Sequence, residues 1–358
     1  MHSIHVVGSG TIGGPLIELL ARHRAALDLA EVTFHKRTPT LDDRPRVAAL
    51  VGAGARLAVD GERRGEFRRR GYGPALDAEE ALGRASVVID CTPAGLQHRS
   101  RYEELSGARG FVAQGSAHGF GQPYALGVNE DALVPGRDRF VQVVSCNSHA
   151  IASLVRAIAV EEEPRGAERP GLTSQLESGR FVCIRRESDV GQDGGEVASP
   201  TLDPHGDEGA GTHHARDVRE LFGTLGLELD LWSSSLRVNS QLMHALWFSL
   251  VLTRPTSLNE VIGRLRDRPV IAVTHKRSAS RVFSFGRDHG HQGRILNQVV
   301  IPTQTLAVRG GREVVGMGLT PQDGNTLLSS VSAALWLIDP ARRADRMRAL
   351  EGELFAEV

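Results

Sequence analysis

Apolar and polar positions along the first 145 residues follow two periods in turn. A short unbroken apolar run, Ile4 to Val7, gives way to glycines and then to Ile12, Leu16 and Leu20 at helical spacing. A buried strand, a glycine turn and an amphipathic helix are therefore expected in succession. Further strands are expected at Glu31 to His35, Ser86 to Asp90, Phe111 to Gln114 and Phe140 to Val144. Helical lengths of chain separate them, so they should pair in parallel, because a parallel neighbour is reached only by a crossover connection. From Ser145 the pattern changes, and Ala150, Ile151, Leu154, Val155 and Ile158 form one helical face. Beyond it Leu227, Leu229 and Leu231 alternate with Glu228 and Asp230, the pattern of a strand buried on one face. Apolar runs at Phe181 to Arg186, Leu246 to Leu252, Val270 to Val273 and Gln298 to Val308 extend this second sheet. Ser257 and Glu260 have capping-box spacing ahead of a short helix carrying Val261, Ile262 and Leu265. Thr320 and Pro321 are placed as N-cap and first residue of a final helix with Leu327, Leu328, Val331 and Leu335 on its apolar face. Residues 187–211, rich in Gly, Asp and Pro, are expected as a long surface loop.

Composition narrows the partners. The chain of 358 residues is long enough for two hydrophobic cores. Its 42 basic and 43 acidic residues leave a net charge of -1, so no overall field draws in nucleic acid or an anionic membrane, and small molecules are the expected partners. The cluster Arg63, Arg64, Arg68, Arg69 and Arg70 has only Phe67 and Tyr72 beside it for base stacking and reads as solvated surface. Cys91, Cys146 and Cys183 are odd in number and widely spaced, which argues against a disulfide framework and suits a reducing compartment. The first residues lack a signal-peptide pattern, and no apolar run approaches about 20 residues, so a cytoplasmic location is expected. His289 and His291 have metal-like spacing but are read as loop residues, and no metal site is expected.

Two places could carry chemistry. Gly8, Gly10 and Gly13 form G-x-G-x-x-G between the first strand and the first helix. Backbone without side chains can approach a pyrophosphate there, and the helix start, with Thr11 and Ile12, offers unpaired N–H groups. A tight strand-to-helix turn would use the same glycines, but their position at the head of alternating strands and helices favours a Rossmann dinucleotide-binding domain. Where NAD-selective domains place an acidic residue, this chain has His35, Lys36, Arg37 and Thr38, which suit the 2'-phosphate of NADP. The second place is Ser145, Cys146 and Asn147, where a strand passes into a helix. A thiol at a helix start has its thiolate favoured by the helix dipole. Cys91 and Cys183, at or within apolar strands, read as small buried hydrophobes. His244, at the head of the strand Leu246 to Leu252, is the candidate base.

Taken together, Gly8-Ser9-Gly10-Thr11-Ile12-Gly13, Asp90-Cys91-Thr92-Pro93-Ala94-Gly95, Gln114-Gly115, Val144-Ser145-Cys146-Asn147 and Leu242-Met243-His244 resemble the archaeal-type (class II) glyceraldehyde-3-phosphate dehydrogenases in order and separation. The resemblance implies an α/β chain with a Rossmann domain over 1–145 and an α+β catalytic domain with a mixed sheet over 146–319. C-terminal helices over 320–358 would then pack back on the first domain, and the protein would be a homotetramer. It further implies that Thr92, Pro93, Gly95, Gln114 and Gly115 join the glycine loop in binding NADP or NAD. Cys146 would attack an aldehyde, His244 would accept a proton, and phosphate would release the thioester as an acyl phosphate. Arg185, Arg186, His213 and His214 stand where the family binds substrate phosphates, through forks and rings suited to phosphate oxygens. Neighbouring strand residues face opposite ways, which favours one arginine of the pair over the other.

Three departures touch the pocket. Leu246 stands where the family has a second histidine, Ser148 and His149 replace threonines after the Cys-Asn pair, and Gly316 to Leu319 hold no counterpart of a His-Gln-Glu-Ser stretch. The expected function is a phosphorylating aldehyde dehydrogenase acting on glyceraldehyde 3-phosphate or a close anionic analogue. The alternatives are a biosynthetic acyl-phosphate or thioester reductase, for instance on a phosphonate, and a non-catalytic dinucleotide-binding regulator.

Overall fold

A computed structural model describes residues 2–115, 117–162, 171–188 and 198–358. The chain forms two compact units: Met1–Gln122, Leu133–Val143 and Leu327–Gly352 in the first, and Pro123–Ala132, Val144–Thr326 and Glu353–Val358 in the second.

In the first unit the strands β1 (His2–Val7), β2 (Leu29–His35), β3 (Arg56–Val59), β4 (Leu76–Asp77), β5 (Val87–Asp90), β6 (Gly110–Gln114) and β7 (Phe140–Val143) lie in the order β4-β3-β2-β1-β5-β6-β7. Every pairing in this run is parallel. Ile4 and Val6 of β1 and Val87 to Ile89 of β5 are wholly buried, as strands covered on both faces must be. Helix α1 (Gly13–Arg22) buries Leu16, Ile17, Leu19 and Leu20 completely, each contributing about 2 kcal/mol of transfer free energy. The strand order reverses at β1, so the carboxyl ends of β1 and β5 open the crevice in which such sheets take ligands. Helix α2 (Gly95–Glu103) follows β5.

In the second unit α3 (Cys146–Ile158) is buried along nearly its whole length. It packs on α4 (His213–Gly223), on α5 (Leu258–Arg266) and on a mixed sheet. That sheet comprises β8 (Leu176–Arg185), β9 (Thr201–Leu202), β10 (Leu231–Arg237), β11 (His244–Leu252), β12 (Ile271–Thr274), β13 (Val299–Pro302) and β14 (Glu313–Thr320), in the order β9-β10-β8-β11-β14-β13-β12. The β8–β10 and β12–β13 pairs are parallel, and the pairs β9–β10, β8–β11, β11–β14 and β13–β14 are antiparallel. Ser257 and Glu260 do form the capping box of α5. The chain opens its third and last passage through the first unit with α6 (Leu327–Ile338), which packs on β5 and β6.

Three expectations are corrected. The alternation Leu227 to Leu231 is not a strand until Leu231, because its partner β8 meets it only from Gly179 onward. Thr320 does not cap the last helix: it is the final residue of β14, paired with His244, and turns through Pro321 to Thr326 precede α6. The run Gln298 to Val308 is broken at Pro302 by a single helical turn, Thr303–Thr305, before the short strand Ala307–Arg309. Of the loop expected over 187–211, residues 189–197 lie outside the described residues, while Thr201–Leu202 pairs with β10 and Asp207 closes a turn on Gly211. No helix of the described residues is long and apolar enough to cross a membrane.

Candidate active site

The glycines of the first unit divide their roles by geometry. Gly8 has φ +91°, a left-handed value that leads β1 into the turn. A Cβ at Gly13 would collide with the Gly8 carbonyl and press on Cys91, so this glycine lets α1 sit close to the sheet. A Cβ at Gly10 would meet nothing within 4 Å, so its backbone borders open space. First glycine for the turn, second for backbone approach and third for helix packing is the division that a bound pyrophosphate requires. A cavity of about 740 Å³ lies here, lined by Gly8, Gly10, Lys36, Arg37, Thr38, Thr92 and Pro93 among others. The Thr92 turn is shaped by the wholly buried Asp90. One oxygen of that carboxylate accepts from the Thr92 N–H (2.8 Å) and hydroxyl (2.6 Å), and the other lies 2.7 Å from both the Tyr102 hydroxyl and His98 Nδ1.

Other expected cofactor residues serve the surrounding framework. Gly95 packs against Ala113 and Ala117, Gln114 donates from Nε2 to Ser330 (2.7 Å), and the Gly115 N–H is taken by the Val143 carbonyl (2.8 Å). Thr11, Ile12, Gly13, Gly95, Gln114 and Gly115 are absent from the cavity wall. Lys36 is on the wall but already paired, its Nζ 2.5 Å from Asp43, which also takes Arg46 at 2.5 Å. The sequence reading missed Asp43 because nothing local marks it as the partner of Lys36.

The second unit builds its site at the start of α3. Ser145 is the N-cap in extended backbone, and its Oγ accepts from the Ser148 N–H at 3.4 Å. Cys146 is thereby the first helical residue, and it is partly exposed. Its carbonyl accepts from Asn325 Nδ2 (2.9 Å), which also bonds the Gln298 carbonyl (3.0 Å) and so ties the helix start to β13 and to the turns after β14. Cys146, Asn147, Arg185, Arg186, His213, His214 and His244 all line one cavity of about 240 Å³. The thiol and the imidazole, far apart in sequence, thus share a cavity within one unit.

The four expected phosphate ligands are not equivalent. The Arg186 side chain is only 1% exposed and grips Asp323 (2.7 Å and 3.3 Å), so its charge is already neutralised. His214 is buried with both ring nitrogens engaged, Nε2 by Asn147 at 3.3 Å and Nδ1 by Thr212 Oγ1 at 3.0 Å. Both line the cavity, and each already has a protein partner. Arg185 remains half-exposed, held by Asp203 at 2.9 Å, and His213 is exposed. Arg237, which the sequence reading missed, stands directly across from Arg185 in the parallel β8–β10 register and lines the same cavity. Directly opposed strand residues share a face, so the usable arginine pair lies across two strands and not along one. Desolvation, aided by Asp90, pushes the Cys91 thiol up, and desolvation does the same to the buried Cys183.

Comparison with known proteins adds a lineage. The chain is 24% identical to a glyceraldehyde-3-phosphate dehydrogenase of Methanobacterium bryantii over 346 residues, 93% of each chain. It is also 24% identical to one of Metallosphaera sedula over 340 residues, 93% of this chain and 92% of that one. With glyceraldehyde-3-phosphate dehydrogenase 1 of Methanosarcina acetivorans the identity is 29% over 246 residues, 67% of this chain and 64% of the relative. The first two likenesses run almost from end to end. The chain is a relative of the archaeal-type glyceraldehyde-3-phosphate dehydrogenases. No protein-family model matches it. Of the residues that resemblance to the archaeal-type dehydrogenases implies, Cys146, Arg185, Arg186, His213, His214 and His244 come together around one cavity, with Arg186 also paired to Asp323 and His214 hydrogen-bonded to Thr212. Gln322 lines the cavity a few residues beyond Gly316 to Leu319, the stretch that holds no counterpart of the family's His-Gln-Glu-Ser.

Proposed function

We propose that this chain is a phosphorylating aldehyde dehydrogenase, equally able to run as an acyl-phosphate reductase, with Cys146 as the residue that carries the acyl group. The coarser reading, a nicotinamide-dependent dehydrogenase, follows from the relatives and from the parallel sheet with its glycine turn. The observation that carries the finer one is a partly exposed thiol at the first position of α3, on the wall of a cavity that also holds an imidazole and two neighbouring arginines. The start of α3 favours the thiolate. Cys146 Sγ then attacks the aldehyde carbon, while Arg185, Arg237 and His213 hold the anionic end of the substrate. A nicotinamide dinucleotide, when bound, supplies the hydride acceptor, and inorganic phosphate releases the acyl group from sulfur.

Lys36, Arg37, Thr38 and Arg46 gather cations and a hydroxyl on the dinucleotide cavity, which supports a preference for NADP. In fluorescence titrations Arg37→Ala, which removes an exposed guanidinium from the cavity wall, should weaken NADP by about tenfold, the loss of one charge-assisted contact, and leave NAD nearly unchanged. An intact protein that binds NAD tenfold or more tightly than NADP would contradict this preference. Replacing Arg237 with alanine should raise KM for an anionic aldehyde about tenfold or more with little change in kcat, since a remote charge contact is lost equally from ground and transition states.

The engaged state of Arg186 and His214 favours a second substrate reading, a phosphonate or other analogue of the triose phosphate, because fewer cations remain for a second phosphate group. Comparing turnover of glyceraldehyde 3-phosphate with a panel of phosphonate and amino-acid semialdehydes decides between the two. Robust activity on the triose supports the first, and activity confined to the panel supports the second. Failure of every aldehyde to turn over with either dinucleotide would sink both.

A further inference from the structure

We propose that His98 Nε2 accepts a hydrogen bond from the amino group of the dinucleotide's adenine, so that this chain selects an adenine dinucleotide over one with a 6-oxo purine. This role rests on the nicotinamide-dinucleotide reading above and deepens it. Asp90, at the end of β5, is a wholly buried carboxylate. Its Oδ1 accepts from the Thr92 N–H at 2.8 Å and the Thr92 hydroxyl at 2.6 Å, and its Oδ2 accepts from the Tyr102 hydroxyl at 2.7 Å. His98 Nδ1 takes the remaining place on Oδ2, also at 2.7 Å. A carboxylate accepts and does not donate, so Nδ1 carries the ring proton and Nε2 of the neutral ring presents a lone pair.

Nε2 is the free atom of that ring. The Asp90 contact is the one hydrogen bond of His98 among the described residues, and the ring, 37% exposed, lines the dinucleotide cavity. Its plane is fixed along with its tautomer, because the Tyr102 ring meets it edge-on with centroids 6.1 Å apart and the Tyr102 hydroxyl shares the same carboxylate oxygen. An acceptor held in one orientation on a cavity wall is the preorganisation that a specific polar contact needs.

The wall around it suits a purine and not a phosphate. Ala78 and the buried Leu82 reach it from the helix Ala78–Gly83, and Leu82 shares a packed cluster with Tyr102. Arg101 on this wall is paired with Glu79, and His35 is held by Asp60 at 3.0 Å. The anionic groups of a dinucleotide have better places along the same cavity, the pyrophosphate at the turn of Gly8 and Gly10 and a 2'-phosphate beside Arg37, Thr38 and Arg46. What remains to be housed is the flat base, whose only hydrogen-bond donor is its amino group. Hypoxanthine carries a carbonyl oxygen there, which sets a lone pair against Nε2 and loses the bond, a cost of about tenfold or more in affinity.

Calorimetric titration of the whole chain with NADP and with nicotinamide hypoxanthine dinucleotide phosphate, and with the corresponding NAD pair, tests this, since the members of each pair differ only in the base. The parent should bind the adenine form about tenfold or more tightly in both pairs. In His98→Ala the adenine form alone should weaken, bringing the two bases within about twofold of each other. Equal affinity for both bases in the parent overturns the assignment, as does a preference that survives His98→Ala. A variant that weakens both forms alike also overturns it, by marking a structural role. The parent comparison uses no variant, so it decides even if His98→Ala does not fold. Binding of neither form by the parent would overturn the dinucleotide reading and the role of His98 with it, whereas equal binding leaves that reading intact and removes only His98.

Discussion

Replacing Cys146 with alanine is expected to lower kcat for aldehyde oxidation by about 10⁴-fold or more, the scale on which nucleophile deletions fall in other acyl-transfer enzymes. Dinucleotide affinity should be unchanged, because the cofactor cavity lies wholly within the other unit and contains no part of α3. The size of the effect follows from the site having one suitable thiol. Cys183 is buried within β8 with its thiol pushed up by desolvation, so Cys183→Ala should leave turnover within about threefold while costing about 1 kcal/mol of packing. Steady-state rates and dinucleotide titrations of both variants check the contrast. A Cys146→Ala protein that folds and retains even a tenth of the parent kcat would exclude a covalent route through this sulfur.

Acid should unfold the protein well before its carboxylates protonate. Three buried imidazoles are pulled far down from their ordinary value of 6.5, His5 to about 3, His149 to about 4 and His244 to about 3, and the buried His214 is lowered well below it too, with desolvation the first cause in each. Their partners carry no charge, Thr33 Oγ1 lying 2.7 Å from His5 Nδ1 and the Ser145 carbonyl 3.1 Å from His149 Nδ1; the carbonyl favours a proton on the His149 ring, but desolvation outweighs it. In the unfolded chain they gain protons as the pH drops through about 6.5, whereas the folded protein takes none up until about 3 to 4. Across that window the unfolded state binds more protons, so stability falls as pH is lowered and the loss ends only below the folded values. Each ring should cost about 2 kcal/mol at pH 5 relative to pH 7.5. Three together approach the whole stability of an ordinary domain, about 5–15 kcal/mol. Urea unfolding at pH 7.5, 6 and 5 should show midpoints dropping steeply below pH 6.5. Midpoints that stay level or rise down to pH 5 would show these rings to be charged or solvated. His149→Gln should blunt the acid loss in the second unit by about a third to a half.

The parallel half of the fold is legible because strands covered on both faces leave continuous apolar runs such as Val87 to Ile89, separated by helical lengths. Legibility fails where an extended segment has no partner. Leu227 to Asp230 alternates in burial like a strand, yet β8 reaches it only at Gly179, and no local pattern carries that register. Thr320 and Pro321 carry good helix-start chemistry, but pairing of Thr320 with His244 holds it in the sheet, a tertiary claim that local signals cannot show. The site divides along the same line. Ser145, Cys146 and the helix after them are contiguous, so their geometry can be read from sequence. The counter-ions Asp43, Asp203 and Asp323, the Arg185–Arg237 pairing and the Arg186 N–H on His244 all come from distant segments. Those contacts decide which expected ligands remain available and how the imidazole can act.

The most direct measurement is the mass of the protein after brief mixing with an aldehyde substrate and oxidised nicotinamide dinucleotide in phosphate-free buffer, quenched in acid and mapped by peptide. The account predicts an acyl group on the peptide containing Cys146, which vanishes when phosphate is supplied. An unmodified Cys146 while aldehyde is being oxidised, or an acyl group found instead at Cys91, would contradict it.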